Sequence, residues 1–237
     1  YERGDLRGEY RIMGVDTQTD SFWYIVRGFD RDGTNYLIDF GQVASFSELD
    51  LAYDQHKCHA AIIDCAGDRT SEVYEEVFRR RSRWFGSRGW KNLQGDQPYR
   101  LQMKDPFTGD TKGRGGRSKI RYLHVNKSIY EEDMARLRSK QISGFFTFTD
   151  TPKLYYDQLF STYWTKETDR SGHIKVVKKL KRSKGDHLWD CEILARALSK
   201  FIGIARIDRD QSLAASEVNR PKKNPATRTK SATGYWS

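Results

Sequence analysis

The chain has 237 residues, of which 42 are lysine or arginine and 32 are aspartate or glutamate, so its formal net charge is +10. This length suffices for one large or two small domains with a sizeable core, and the charge favours a polyanionic partner, most commonly a nucleic acid, over a merely soluble basic surface. Three cysteines without a CxxC pair argue against a disulfide framework or a zinc knuckle, no apolar run reaches the roughly 18 residues of a membrane span, and no GxxxxGK[ST] phosphate loop occurs.

The first half of the chain alternates between strands and helices. Three apolar runs joined by short turn-like segments predict an antiparallel meander. A helix capped by Ser47, a buried strand and a strongly periodic helix follow the meander. The predicted elements are strands at 10–16, 22–29 and 35–43, a helix at 45–57, a strand at 60–64 and a helix at 69–84.

The second half is less regular and begins with a Gly- and Lys/Arg-rich loop at 105–119. The elements predicted after it are strands at 120–126, 144–149 and 173–180 and helices at 127–140, 152–164 and 186–202. This order predicts an α/β fold with a mixed sheet, in which a three-stranded antiparallel meander joins parallel strands and helices flank both faces.

We expect one domain between two less ordered ends. Residues 1–8 have the composition of a linker, and the first residue is Tyr rather than Met, which suggests a piece of a longer polypeptide. The domain itself spans residues 9–207. Residues 208–237 lack periodicity and are rich in polar residues and proline, which predicts a flexible basic C-terminal tail.

Two aspartates end apolar strands of the predicted sheet. Asp16 ends the first strand and Asp64 ends the fourth. Because ligand sites in open α/β sheets lie at the carboxyl ends of strands, these two acids are candidate site residues. The alternatives are a turn-forming role for Asp16 and a helix cap for Asp64, although Asp68 and Thr70 stand closer to the following helix.

The last predicted helix adds a third group of polar residues. Asp186 and Asp190 are four positions apart and His187 and Asp190 are three apart, so all three side chains lie on one side of the first turn. An ordinary N-cap is the alternative for Asp186, and a surface position is the alternative for His187.

Acids gathered in one cleft repel one another unless a cation neutralises them. Oxygen ligands with at most one imidazole favour Mg²⁺ or Mn²⁺ over Zn²⁺. We therefore expect Asp16, Asp64 and Asp190 to be catalytic metal ligands, with His187 or Asp186 as a further ligand. Two such ions about 4 Å apart would activate a water and stabilise the leaving oxygen of a phosphodiester.

A strongly basic strip, residues 178–184, directly precedes the last helix. We expect it to hold the DNA backbone beside the scissile phosphate. The loop 105–119 is a second candidate to close over DNA, with a solvated connection as the alternative. The candidate DNA-binding residues are Lys178, Lys179, Lys181, Arg182 and Lys184 in the strip and Arg114, Arg117 and Lys119 in the loop.

Four segments carry a resemblance to a known family. They are GVDTQTD at 14–20, AAIIDCAGDRTSEVYE at 60–75, GFFTFTDTPKLYYDQL at 144–159 and KGDHLWDCEILARA at 184–197. The chain resembles the nuclease domain of tailed-phage terminase large subunits, the lambda-type branch in particular, within the ribonuclease H-like superfamily, over about residues 8–203. Asp16 and Asp64 match the family's strand acids and Asp190 its helix acid. His187 stands where related resolvases have a histidine or an acid, which leaves open whether His187 or Asp186 is the fourth ligand.

The resemblance implies a function and a set of partners. The function is metal-dependent cleavage of concatemeric viral double-stranded DNA with low sequence specificity, in the cytoplasm of the host cell. The partners are an N-terminal ATPase domain of the same polypeptide, the portal and the small terminase subunit, with no membrane.

Three other functions stay open from the sequence. One is another DNA enzyme on the same fold, a junction resolvase, transposase or integrase. The second is an actin-like or sugar-kinase ATPase, which is disfavoured because DTQTD at 16–20 lacks the glycine that such phosphate loops require. The third is a non-catalytic DNA- or portal-docking module, in which the acids are only caps and turn residues.

Overall fold

One mixed sheet forms the centre of the molecule. The computed structural model describes residues 1–67, 69–90, 97–109, 111, 119–140, 143–168, 171–180 and 185–204, with the backbone alone at 164, 175–178 and 180. Within these ranges the strands of the sheet are β1 (Tyr10–Thr17), β2 (Phe22–Phe29), β3 (Asn35–Val43), β4 (Ala60–Asp64), β5 (Trp84–Trp90), β6 (Tyr99–Lys104), β7 (Ile120–Asn126) and β8 (Phe145–Phe146). Their spatial order is β6-β7-β5-β4-β1-β2-β3-β8.

The strand directions confirm the predicted ribonuclease H-like arrangement. Strands β1, β2 and β3 form the antiparallel meander. Strand β4 is parallel to β1, β5 is parallel to β4, and β7 is parallel to β5. Strand β6 pairs antiparallel with β7, and β8 pairs parallel with β3 over two residues. A separate antiparallel hairpin consists of β9 (Thr162–Thr168) and β10 (Ile174–Leu180).

Helices cover both faces of the sheet, as predicted. They are α1 (Phe46–Gln55), α2 (Thr70–Arg79), α3 (Lys127–Arg138), α4 (Lys153–Leu159) and α5 (His187–Phe201). Because side chains alternate along a strand, Ile12 and Ile62 pack with α3, α4 and α5, whereas Met13 and Ile63 pack with α1 and α2 on the other face. Residues Tyr1–Arg206 form one compact unit. Within the described residues, no helix combines the length and the apolar character needed to cross a bilayer.

Helix α5 lies so close to strand β1 that the strand residue at the contact has no room for a side chain. A Cβ atom at Gly14 would lie 2.2 Å from the carbonyl oxygen of Cys191. The thiol of Cys191 in turn donates to the carbonyl of Trp23 on β2, at 3.2 Å. Glycine at position 14 therefore lets the helix lie directly on the centre of the sheet.

A buried ion pair fixes the position of α5 on the sheet. Nε and Nη2 of Arg27 on β2 donate to the two carboxylate oxygens of Glu192, each at 2.7 Å, and both side chains are 1% exposed. The guanidinium also donates to Asn35 and to the hydroxyl of Tyr155, at 2.8 and 2.9 Å. The network thus ties β2, β3, α4 and α5 together with its hydrogen bonds satisfied.

Residues 1–8, which the sequence predicts to be a linker, make specific contacts along β3. The amide of Gly4 donates to the carbonyl of Ile38 at 2.9 Å. The hydroxyl of Tyr1 donates to the carbonyl of Leu37, also at 2.9 Å. The segment therefore follows the outer edge of the sheet.

Two helix boundaries differ from the prediction. The cap of α1 is Ser45 and not Ser47, because the Ser45 hydroxyl accepts from the amide of Glu48 while the Glu48 carboxylate accepts from the amide of Ser45. This reciprocal pair is a capping box. The helix predicted at 69–84 ends at Arg79, and β5 begins at Trp84.

Further differences lie in the second half of the chain. The prediction contains neither β5 nor β6, whose sequences WFGSRGW and YRLQMK lack a continuous apolar run. The strand predicted at 144–149 is reduced to β8, and the helix predicted at 152–164 ends at Leu159, followed by β9. The tail 208–237 lies outside the described residues, as does most of the loop 105–119.

The buried network predicts the effect of Arg27→Met. Glu192 would keep its charge without a partner in the core, so we expect the free energy of unfolding to fall by about 3–5 kcal/mol, measured by urea denaturation. The double variant Arg27→Met/Glu192→Leu should recover most of this loss. The control Arg31→Met, at an exposed ion pair with Glu9, should leave the free energy of unfolding nearly unchanged, because exposed ion pairs contribute little. Equal losses for Arg27→Met and Arg31→Met would contradict the assignment.

Candidate active site

Two carboxylates lie side by side at the carboxyl ends of β1 and β4. The strands are parallel neighbours with Val15 opposite Ile63, so Asp16 and Asp64 are the next residues on each strand. Both side chains are on the α5 face, since residues two apart on a strand share a face. The hydroxyl of Thr17 donates to the carbonyl of Asp64 at 2.7 Å, which joins the two strand ends. The fold therefore brings the two strand acids to the same edge of the sheet.

The first turn of α5 brings His187 onto Asp16. The Nδ1 atom of His187 lies 2.9 Å from Oδ2 of Asp16, and this hydrogen bond raises the pKa of the imidazole. The imidazole ring stacks on the indole of Trp23, with centroids 5.7 Å apart and planes 12° apart. The side-chain amide of Gln18 donates to the same Asp16 oxygen, at 2.6 Å. His187 and Asp16 are therefore both held in fixed orientations.

Asp190 reaches the same site from the next turn of α5. Its Oδ2 atom accepts a hydrogen bond from Nζ of Lys127, the first residue of α3, at 2.8 Å. Its Oδ1 atom is buried and has no hydrogen-bond partner among the described residues. Asp190 and Lys127 line one small pocket together with Asp64 and Gly89. A buried carboxylate oxygen without a donor is the kind of ligand that a cation would satisfy.

Asp186 is at the N-cap of α5 but does not act as a side-chain cap. Its carbonyl accepts from the amide of Asp190 at 2.9 Å, whereas its carboxylate makes no capping hydrogen bond. Its negative charge still contributes to raising the pKa of His187. Asp186 is thus close to the cluster without a direct contact to Asp16.

The environment disfavours negative charge on two of the acids. Burial and, after it, the neighbouring charge of Asp16 raise the pKa of Asp64 to about 6. Burial likewise raises the pKa of Asp190 to about 6, although Lys127 opposes the shift. Buried carboxylates whose charges repel one another favour a bound cation or proton.

Polar side chains of the protein itself occupy part of the cluster. Lys127 holds one oxygen of Asp190, and His187 holds one oxygen of Asp16. Among the described residues, no three His, Cys, Asp or Glu side chains are grouped as a ready-made metal site. The donors present are nevertheless carboxylate oxygens and one imidazole, a set that fits Mg²⁺ or Mn²⁺ better than Zn²⁺.

The DNA-binding candidates of the sequence analysis lie mostly outside the described residues. This holds for Lys181, Arg182 and Lys184 of the strip and for Arg114 and Arg117 of the loop, while Lys178 is described by its backbone alone. Nζ of Lys179 lies 2.5 Å from the carboxylate of Glu167 across the β9–β10 hairpin. Nζ of Lys119 donates to the carbonyl of Thr111 at 2.9 Å.

Lys127 is the site residue that the sequence analysis did not identify. It follows β7, whose parallel pairing with β5 brings its end to the same edge of the sheet as Asp64. The rule that identified Asp16 and Asp64 would also have identified Lys127, if basic residues after strands had been considered.

The raised pKa of Asp64 predicts a pH-dependent stability of the metal-free protein. The pKa of the Asp64 carboxyl group is near 6 in the folded protein and about 4 in the unfolded chain. The protonated group therefore stabilises the folded protein below pH 4, and this contribution is lost as the pH rises through 6. Asp64→Asn should therefore increase the free energy of unfolding relative to wild type by on the order of 2–3 kcal/mol above pH 7, and by nothing near pH 4. Urea denaturation at both pH values with a chelator checks this. A constant difference at both pH values would contradict it.

Comparison with known proteins agrees with the geometry. The family model described as terminase large subunit gpA, endonuclease domain, matches residues 10–209, a range that contains all five helices and the three strand ends of the site. A search of curated proteins found no match. Since the family model covers most of the chain, this protein belongs to the endonuclease-domain family of the gpA-type terminase large subunit.

Proposed function

We propose that this domain is a metal-dependent endonuclease that hydrolyses phosphodiester bonds of concatemeric double-stranded viral DNA with low sequence specificity. The observation that carries the proposal is the meeting of Asp16, Asp64 and Asp190 at one edge of the sheet, two of them with raised pKa values. Membership of a terminase endonuclease family supports the choice of DNA as substrate.

The proposed cofactors are Mg²⁺ or Mn²⁺, two ions in number. Asp16, Asp64 and Asp190 would hold them, and the free Oδ1 atom of Asp190 is the clearest vacant donor among these carboxylates. When bound, such ions polarise the phosphodiester, lower the pKa of an attacking water and stabilise the leaving oxygen.

We propose His187 rather than Asp186 as the additional ligand. The imidazole touches Asp16 directly and is fixed between that carboxylate and the indole of Trp23. The side chain of Asp186 makes no capping hydrogen bond. A side chain already oriented toward the carboxylates loses less conformational entropy when it binds an ion.

The remaining polar residues of the site would orient the acids. The side-chain amide of Gln18 donates to Asp16, and Lys127 neutralises Asp190. Both contacts keep the carboxylates in place before substrate arrives, which is the preorganisation that catalytic groups require.

The proposed partners follow from the role of a large terminase subunit. They are an ATPase domain N-terminal in the same polypeptide, the portal and the small terminase subunit, all acting in the host cytoplasm. The family match supports a packaging role in general terms.

Two other functions remain to be distinguished by experiment. A junction resolvase, transposase or integrase would use the same acids, but the family match favours a terminase. A docking module without catalysis would need no buried acids, so the raised pKa values of Asp64 and Asp190 disfavour it.

The proposed roles of the acids predict the results of plasmid nicking. We expect the rate of plasmid nicking to fall at least about 100-fold in each of three variants, Asp16→Asn, Asp64→Asn and Asp190→Asn. Even residues that only support the metal ligands contribute about 10- to 100-fold to metal affinity or activity. Nicking of a supercoiled plasmid across Mg²⁺ and Mn²⁺ concentrations measures this, and binding of duplex DNA in a chelator should be unchanged.

The matched control is Asp54→Asn, which removes an exposed carboxylate whose side chain is 72% accessible. It should nick at the wild-type rate. If wild type and Asp64→Asn leave the plasmid equally intact at every metal concentration, the docking module becomes the better description.

Metal titration separates the two candidates for the additional ligand. His187→Ala should weaken Mn²⁺ binding about 10- to 100-fold, measured by calorimetry without DNA. Asp186→Asn should bind Mn²⁺ nearly as wild type does. The reverse pattern would assign the ligand to Asp186.

A further inference from the structure

Two lysine–aspartate pairs join helices α3 and α5. Next to the site, Nζ of Lys127 on α3 lies 2.8 Å from Oδ2 of Asp190 on α5. About three turns further along α5, Nζ of Lys200 lies 2.7 Å from Oδ2 of Asp133 on α3. Both pairs hold the two helices together, so any difference between them points to a role other than packing.

The two pairs differ in the number of cations on the carboxylate. Asp133 receives a second cation, because Nε of Arg196 lies 3.0 Å from the same oxygen that Lys200 holds. Among the described residues, Asp190 has an ion pair with Lys127 alone, and its Oδ1 atom is buried without a partner. A buried oxygen left open beside a cation is typical of a binding site and is costly in a packing contact.

Lys127 occupies an unfavourable position in its own helix. It is the first residue of α3, where the helix dipole presents its positive end and disfavours a cation. The first turn contains no acidic residue, and the N-cap Asn126 makes no side-chain capping hydrogen bond. The positive charge at this position therefore costs helix stability, and Asp190 compensates it from the neighbouring helix.

The side chain of Lys127 lies on the same face of the sheet as the acids. Its stem passes over Gly89 on β5, where a Cβ atom would lie 3.3 Å from Cδ of the lysine. Gly89 is opposite Val125, which packs in the core on the α5 face. Lys127 lines a cavity of about 20 Å³ together with Asp64 and Asp190, which is room for about one water molecule. The ammonium group therefore borders two of the proposed metal ligands.

The ammonium group of Lys127 has hydrogen-bonding capacity to spare. An ammonium group carries three N–H donors. Asp190 accepts from one of them, and among the described residues Lys127 makes no other side-chain hydrogen bond. The side chain is 32% exposed, so a ligand can reach it from solvent. Two donors are thus left for a ligand with oxygen acceptors that enters beside Asp64.

We propose that Lys127 is a catalytic residue, whose ammonium group donates hydrogen bonds to a non-bridging oxygen of the scissile phosphate while it holds Asp190. The inference rests on the proposed nuclease function and adds a cation of the chain itself to the proposed ions. A fixed positive charge at the phosphate stabilises the negative charge that develops there during the attack of water. Lys127 keeps its proton throughout, since water supplies both the hydroxyl group for phosphorus and the proton for the leaving oxygen.

This role makes metal affinity and reaction rate respond in opposite directions. The positive charge of Lys127 disfavours a divalent ion at the neighbouring Oδ1 atom of Asp190, because like charges at short range repel. Removal of the charge should therefore strengthen metal binding and slow cleavage. A residue that only orients Asp190 would change both quantities in the same direction, because loss of support for a metal ligand lowers metal affinity and activity together.

The variant Lys127→Met tests the proposal in the 237-residue chain, because it removes the charge and keeps the length of the stem. We expect it to bind Mn²⁺ about tenfold more tightly than wild type, the effect of one neighbouring charge, measured by calorimetry without DNA. At saturating Mn²⁺ it should nick plasmid at least about 100-fold more slowly. Lys127→Gln, a second neutral variant, should behave in the same way.

Two further variants serve as controls. Lys127→Arg keeps the positive charge, so its Mn²⁺ affinity should be near that of wild type and its nicking rate well above that of Lys127→Met. Lys200→Met removes the lysine of the other pair between α3 and α5, and it should change neither Mn²⁺ affinity nor nicking rate. Thermal melts near that of wild type show that each variant is folded.

Two results would overturn the role of Lys127. One is weaker Mn²⁺ binding by Lys127→Met with a nicking rate that more Mn²⁺ restores, which would leave Lys127 as a support of Asp190 alone. The other is a wild-type nicking rate in Lys127→Met at saturating Mn²⁺. In both cases wild type nicks plasmid, so the nuclease function stands and only the role of Lys127 is wrong. If wild type nicks at no Mn²⁺ concentration, the nuclease function and the role of Lys127 both fail.

Discussion

The contact between helix α5 and strand β1 at Gly14 determines the geometry of the site. Asp16 is two residues along the strand from that contact, and His187 and Asp190 are within one turn of Cys191 on the helix. The ion pair of Arg27 with Glu192 holds the helix from the neighbouring strand. Core packing and one buried ion pair, rather than loop conformation, therefore bring residues more than 170 positions apart into one cluster. Helices and strands that are held in this way position side chains more accurately than loops do.

The cluster gathers more negative charge than its own cations balance. Lys127 compensates the charge of Asp190 and His187 hydrogen-bonds Asp16, while Asp64 accepts a backbone hydrogen bond from Ala66 and has no ion pair among the described residues. This arrangement costs stability that the surrounding core must supply, as is common where structure serves chemistry. The proposed divalent ion would bind the vacant Oδ1 atom of Asp190, whose Oδ2 atom is held by the ammonium group of Lys127.

Sequence patterns identified the acidic residues as candidates for the site but did not predict the residues that surround them. Asp16 and Asp64 follow from the rule for strand ends, and His187 and Asp190 from helical spacing. The S-x-x-E spacing of Ser45 and Glu48 marks the capping box of α1, although the prediction placed the cap at Ser47. The rule for strand ends also reaches Lys127, but not its contact with Asp190, which depends on how α3 packs against α5. Strands β5 and β6 were not readable either, because their mixed composition gives no strand signal.

The segment ahead of β1 has a consequence for self-association. An unpaired strand edge is a template on which a second chain can add a strand and start aggregation. Strand β8 covers β3 only at Asn35 and Tyr36, and the contacts of Gly4 with Ile38 and of Tyr1 with Leu37 continue the cover beyond it. Residues 1–4 therefore cover a stretch of the β3 edge on which a second chain could otherwise add a strand.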